Sequence, residues 1–352
     1  MRRLLALVVA PALLVACTVV QSLDYLSNAP VDAEGGAPEA GVDASVVPDV
    51  VASGQSVPDL VAIDVTDVYW HAQGTGAVLG VAKSGGTPRT IAAAGQTIAQ
   101  LAVDPGAGGH VYWATESKIL RAPKQGGDGG PGETVLSTTG TVAAFALDDA
   151  FVYVALGVDA PEGTVVRVPK SGGAPIAIEA VDDPLVVAVD ATSIVWVDGT
   201  TSTARELAKA KVPDGGTDAG SGAATIGNTS GDPIVPSTPD LFALGSDALF
   251  WAELGTDSTF VFRHARTGAA RTTIWVGEAT AELGGLSLDD RFVWLTEITT
   301  KSLVRVPREG GEPSTVVNVT GLGGVVSDGT NVYFTSKGTS PNGGSILRVP
   351  AR

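Results

Sequence analysis

An all-β fold of four-stranded antiparallel blades closed into a ring, a β-propeller, is what this sequence predicts, and three observations predict it. Gly, Val, Thr and Ala are abundant while Lys, Glu and Met are sparse, a balance suited to many short strands joined by tight turns. One pattern recurs at intervals of 39 to 55 residues through the chain to its end. Each copy carries an aromatic pair in one apolar run and a Gly-Gly turn after another. The 352 residues, 44% of them apolar, are ample for a packed core.

In chain order, residues 1 to 16 come first, two arginines and the apolar stretch Leu4 to Val15, the layout of an export signal and short for a membrane span. The ending Leu14-Val15-Ala16-Cys17 resembles the lipobox of bacterial lipoproteins, which implies lipidation of Cys17, the only cysteine, and a mature N-terminus there. Several acyl chains on one cysteine hold a protein stably on a membrane. Thr18 stands where that family places an aspartate for inner-membrane retention, so the resemblance implies the outer membrane. Residues 17 to 48 are rich in Ala, Pro, Gly, Asp and Glu with no Lys or Arg, and read as a disordered acidic tether of roughly 30 Å reach.

Residues 49 to 352 hold the repeat. Seven copies are counted, and their first aromatic-pair positions are Tyr69, Tyr112, Tyr153, Val195, Phe250, Trp294 and Tyr333. The second halves read VLGVAKSGGTP, ILRAPKQGG, VVRVPKSGGAP, AKVPDGG, VFRHARTG, LVRVPREGGEP and ILRVP, with copies four and five the most worn. Lys-Ser-Gly-Gly between alternating runs supplies the positive-φ residues of a bulged hairpin, so each unit is a four-stranded meander. The runs before the first turn are small, as in Leu101-Ala102-Val103 and Gly323-Gly324-Val325-Val326, which suits strands crowded round an axis. The last copy ends after a third strand, and residues 49 to 57, DVVASGQSV, resemble the fourth strand TIAAAGQTI of the first copy. The N-terminal segment is therefore expected to complete the last blade. Seven blades are expected, six if the degenerate region Lys209 to Pro236 hides a mispaired unit.

The copies DVYWHA, HVYWATE and ALFWAE, each followed by a segment such as ILRAPKQGG, resemble the YWTD repeats of low-density-lipoprotein-receptor-type propellers. The resemblance spans roughly 300 residues. It implies the architecture and an extracytoplasmic binding role. The motif's aspartate is replaced by Ala72, Thr115 and Glu253, and that family's usual ring has six blades, so no ligand-contacting residue carries over.

The most regular polar feature is an acid after the innermost strand, at Asp64, Asp104, Asp148, Asp190, Asp289 and Asp328, with Gly245 in the fifth copy. Converging at one channel mouth they would suit a hard cation such as Ca²⁺. Alternatively each caps its own turn through backbone N–H groups. His71, His110 and His264 fall in different copies with no metal-ligand spacing and are read as surface or packing residues. There is no GxSxG nucleophile elbow. Trp275 is the one tryptophan outside the repeated pair and is read as packing. Residues 214 to 236 are the longest departure from the repeat and are read as flexible filler.

The net charge of −16 becomes −18 once Arg2 and Arg3 leave with the signal, and no basic cluster exists, which excludes nucleic acid and direct attraction to anionic lipid. The reading is a lipid-anchored, monomeric, non-catalytic binding or scaffold module for an envelope protein or a small extracellular ligand, with no cofactor. The alternative is a metal-dependent propeller lyase or hydrolase working at the channel mouth.

Overall fold

The computed structural model describes residues 46–352 apart from 94, 107, 128, 158–162, 213–221, 227–232, 256, 268, 269 and 279. Cys17 and the tether lie outside the described residues. Seven four-stranded antiparallel sheets form the fold, each a meander whose strands are neighbours in sequence order, except for one chain-closing strand. The innermost strands of blades 1 to 7 are Pro58–Ile63, Gln100–Val103, Val142–Leu147, Pro184–Val189, Phe242–Leu244, Leu283–Leu288 and Leu322–Ser327. Each packs against the innermost strands on either side, and blade 7 packs on blade 1, so the ring is closed.

Closure follows the sequence expectation. Asp49–Gln55 pairs antiparallel with Gly344–Pro350, Asp49 opposite Arg348 and Gln55 opposite Gly344, and supplies the fourth strand of blade 7. Val51 and Ala52 are buried in the interface with blade 1. The strand stops at Gln55, two residues short of the expected 57, and Val57 turns with φ 51° into the first strand of blade 1.

The degenerate region conceals a normal blade. Its third strand is Thr203–Ala208, within TTSTARELAK, and not the expected AKVPDGG, whose Lys211 lies in a short 3₁₀ turn, Lys209–Lys211. The fourth strand, Ala224–Ile226, lies inside the stretch read as filler and pairs with Ala204 to Glu206. Weak local signals were overridden by the need of both neighbouring blades for a partner face.

The large apolar side chains fill the interfaces between blades. Tyr69 of blade 1 packs with Val103, Val111 and Trp113 of blade 2, while Trp70, pointing the other way from the same strand, packs with Val51, Tyr333 and Ile346 of blade 7. Small residues are required at the axis. A Cβ on Gly323 would lie 2.5 Å from Thr335 Oγ1 and 3.0 Å from the Asp59 carbonyl oxygen. The turns after the third strands use positive φ as expected, for example Gly172 at 90° and Gly173 at 137°.

Candidate functional site

The six aspartates end the innermost strands, and each accepts hydrogen bonds from its own turn. Asp64 Oδ1 takes the N–H groups of Thr66 and Asp67 at 2.8 and 2.7 Å. Asp148, Asp190, Asp289 and Asp328 repeat the pattern at 2.7–3.0 Å, and Asp104, in a longer loop, takes the N–H of His110 at 2.8 Å.

The second carboxylate oxygen serves a different end. In blades 1 to 5 the basic residue that follows the third strand reaches back to the aspartate of the blade before it. Lys83 of blade 1 pairs with Asp328 of blade 7 at 2.7 Å, Lys124 of blade 2 with Asp64 at 2.8 Å, and Lys209 of blade 4 with Asp148 at 2.8 Å. Lys170 pairs in the same way with Asp104, and Arg266 with Asp190. Where Gly245 replaces the acid, Arg308 of blade 6 takes Asp247 instead. Blade 7 has Ala351 at the cation position, and there Asp289 of blade 6 accepts from Ser327 Oγ of blade 7 at 3.2 Å and from Trp294 Nε1. The same cations lie over the signature aromatics of the preceding blade, Lys83 over Tyr333, Lys170 over Tyr112, Lys209 over Tyr153 and Arg308 over Phe250, at 5.2–5.5 Å.

Aspartate, aromatic and the Lys or Arg after the third strand are thus parts of one inter-blade clamp. Burial by itself would raise the Asp148 carboxyl, but Lys209, the Tyr153 hydroxyl and two backbone N–H groups outweigh it and hold the pKa below the ordinary value. Asp190 is lowered on the same balance, burial opposing and the turn N–H groups with Arg266 prevailing. Tyr112 is pushed up to about 12, by burial first and then by Asp104. Of the two readings given for Asp64, Asp104, Asp148, Asp190, Asp289 and Asp328, the turn cap is seen at each. These carboxylates are drawn into interfaces between blades by their organic partners, and no group of three or more His, Cys, Asp or Glu side chains suited to a metal ion occurs among the described residues.

The histidines are scattered, as their spacing implied. His264 is fully buried with Nδ1 donating to the Ala265 carbonyl at 2.8 Å, and His110 lies 4.0 Å from Asp104, its pKa lowered by burial and Arg121. His71 makes a contact the sequence did not signal, a buried pair between Nδ1 and Asp59 Oδ1 at 2.9 Å.

A feature not spent on holding the ring together lies at the outer rim between blades 5 and 6. A pocket of about 190 Å³ is lined by Trp275, Val276 and Glu278 from the end of blade 5 and by Glu297, Thr300 and Val304 of blade 6, among others. No Lys or Arg lines it among the described residues. Glu297 is only 5% exposed, and its Oε1 is buried with no hydrogen-bond partner. Trp275 is 7% exposed, so the packing read for it holds while it also lines the pocket.

This interface departs from its neighbours in a readable way. At the blade 7–1 and 1–2 interfaces an indole N–H is received by a glutamine, Trp70 by Gln55 at 3.2 Å and Trp113 by Gln96 at 2.8 Å. In register, Leu295 stands at the tryptophan position of blade 6, and Gly277-Glu278 stands where Gly54-Gln55 and Gly95-Gln96 do. Glu297 and Asp198 occupy the fourth position of the motif, as Trp294-Leu295-Thr296-Glu297 and Val195-Trp196-Val197-Asp198. The motif's aspartate is therefore present in copy four, as Asp198, and a glutamate takes its place in copies five and six. At the matching place in blade 5, Glu253 accepts from Trp251 Nε1 and Arg271, each at 2.8 Å, whereas Glu297 has neither kind of partner at its Oε1.

No protein-family model and no curated protein matches the chain. Solved structures share the fold. The structure of U3-55K is 10% identical, covering 88% of this chain and 100% of that one at a TM-score of 0.61. YCF48 bound to D1 peptide is 12% identical, covering 87% and 97% at 0.55. The PQQ-bound aldose sugar dehydrogenase from Streptomyces coelicolor is 14% identical, covering 86% and 96% at 0.50. A peptide complex and a quinone enzyme stand together here, so the likeness establishes the architecture and leaves function to the site.

Proposed function

We propose that this chain is a non-catalytic binding or scaffold propeller, displayed outside the cytoplasm on a lipid anchor at Cys17. The clamp carries the reading. The regular acids and bases of the repeat, the residues from which a channel-mouth catalyst would have to be built, are committed to joining blade to blade, which leaves a rigid ring with shaped faces and rims. The chain enters the ring at Asp49, opposite Arg348, on the face that carries the clamp turns, and an anchor on that side leaves the opposite face free for an envelope protein or a small extracellular ligand.

Full-length protein, lipidated and immobilised through an affinity tag at its C-terminus, would be used to capture partners from envelope extract, and any retained protein purified and titrated back. Stoichiometric binding that reconstitutes from pure components is the expected result. Failure of every candidate to reconstitute, with folded protein, would overturn the reading. Metabolic labelling with a fatty-acid analogue tests the anchor, since the wild type should be marked and Cys17→Ser should not.

A further inference from the structure

We propose that the rim pocket between blades 5 and 6 binds an alkylammonium group, supplied by a free primary amine or by a lysine side chain of a bound protein. This rests on the binding reading above and names the chemistry of one of its sites.

A carboxylate withdrawn from water is stable only against a hydrogen-bond donor or a cation, and the cost of leaving it unpartnered is large. Two deeply buried acids that face a neighbouring blade have such a partner, Lys124 for Asp64 and Arg266 for Asp190. Glu297 Oε1 is as deeply placed and has none among the described residues. Glu297 lines the pocket, so its carboxylate, short of one partner, is the group that an entering donor meets. Glu278 adds a second negative charge at the exposed rim, and with no basic residue in the lining the local potential selects a cation.

The other walls narrow the class. Trp275, Val304 and Pro313 give apolar contacts for the methylenes of an alkyl stem. Thr300 supplies a hydroxyl for a remaining N–H donor of a primary ammonium, while Ser314 Oγ already accepts from Arg305 Nε at 2.8 Å. The volume of about 190 Å³ falls below the roughly 300–1,000 Å³ of sites for drug-sized ligands and suits one extended side chain or a small amine. A guanidinium would present a wide planar fork, whereas the single buried acceptor atom suits the compact, rotatable donors of an ammonium. The site opens at the outer rim, so a lysine on a partner's surface reaches it without threading the central channel.

The test is calorimetric titration of the full-length protein with Nα-acetyl-lysine methylamide, cadaverine, the peptide Gly-Gly-Lys-Gly-Gly and, as neutral control, Nα-acetyl-norleucine methylamide. The amines are expected to saturate one site and the norleucine compound to give no heat. Glu297→Gln should weaken binding about ten- to hundredfold, the loss expected for a charge-assisted hydrogen bond. Glu278→Gln, an exposed change that leaves the core untouched, should weaken it a few-fold. Asp149→Asn removes the same charge from an exposed site in blade 3 and should leave binding unchanged. Binding of the small amines alone identifies a free ligand as the source, and binding of the peptide alone identifies a partner's lysine; both bear the proposal out.

Equal weakening by Glu297→Gln and Asp149→Asn would show general attraction to an acidic protein and overturn the pocket. So would the absence of saturable binding at about 10 mM, well above a weak millimolar Kd. Envelope capture that persists with wild type while all amines fail would overturn the pocket alone and leave the binding reading standing.

Discussion

Replacing Lys124 by Ala should be among the most damaging single changes in the ring. Its ammonium and the Asp64 carboxylate are 2.8 Å apart, and both side chains are 1% exposed. Lys124 Nζ also donates to the carbonyl oxygens of Asp104 and Gly106, so its loss releases a turn of its own blade as well. Removing one partner of a buried ion pair strands the other and costs about 3–5 kcal/mol. Unfolding entropy near 2.1 cal/mol/K per residue gives about 0.6 kcal/mol/K for a ring of ~300 residues, so the change should lower Tm by about 5–8 °C. Arg308→Ala, whose partner Asp247 is 44% exposed, removes the same kind of clamp from a wet site and should cost ~1 kcal/mol or less, under 2 °C. Lys124→Met with Asp64→Asn should recover most of the loss, because no charge is then left buried. Thermal melts followed by near-ultraviolet circular dichroism decide the matter. Equal shifts for Lys124→Ala and Arg308→Ala, or a double variant no better than Lys124→Ala, would refute burial as the source of the clamp's strength.

Acid should weaken the clamps at Asp148 and Asp190, whose carboxyls are held below the ordinary value. Their stabilisation is complete above the unfolded pKa of about 3.9 and is lost as pH falls from there through the lowered folded values; urea midpoints across that window should drop less steeply in Asp148→Asn. Deleting residues 1–57 removes the fourth strand of blade 7 together with buried Val51 and Ala52, and should lower Tm and cause self-association through the bared edge, read by size-exclusion chromatography with light scattering. Gly323→Ala places a methyl 2.5 Å from Thr335 Oγ1 and should cost about 1–3 kcal/mol in urea denaturation, whereas Gly127→Ala, with nothing within 4 Å, should be neutral or slightly stabilising.

Much of the architecture was written in local pattern. A strand's alternation, an aspartate two residues before the N–H it caps, and a Gly-Gly pair after a third strand are short-range physics, so the blades and their number could be read from the chain. The closing strand was legible because Gln55 repeats Gln96, and both receive a tryptophan N–H of the following blade. Blade 4 was legible only in part, since its fourth strand is three residues long and carries little pattern of its own. The Asp59–His71 pair was not signalled, because the two residues belong to different strands and, although Asp59 recurs as Asp240, no other copy has a histidine at the place of His71.

The aspartates mark the boundary most clearly. Repetition announced that they mattered, and turn chemistry explained one oxygen of each, but for five of the six the partner of the other is a base on the next blade, from 60 to 76 residues away in four clamps and 245 in the one that closes the ring. The rim pocket is the same lesson at a single site. Leu295 for tryptophan, Glu278 for glutamine and Glu297 at the motif's fourth position are separate, mild departures along the chain. By itself the sequence determined the repeat, the blade and the ring, because those follow from periodicity and turn geometry within some forty residues. Only the tertiary structure decided which charges are paired and which acceptor is left over, because burial and ion pairing belong to surfaces that exist once two blades have met.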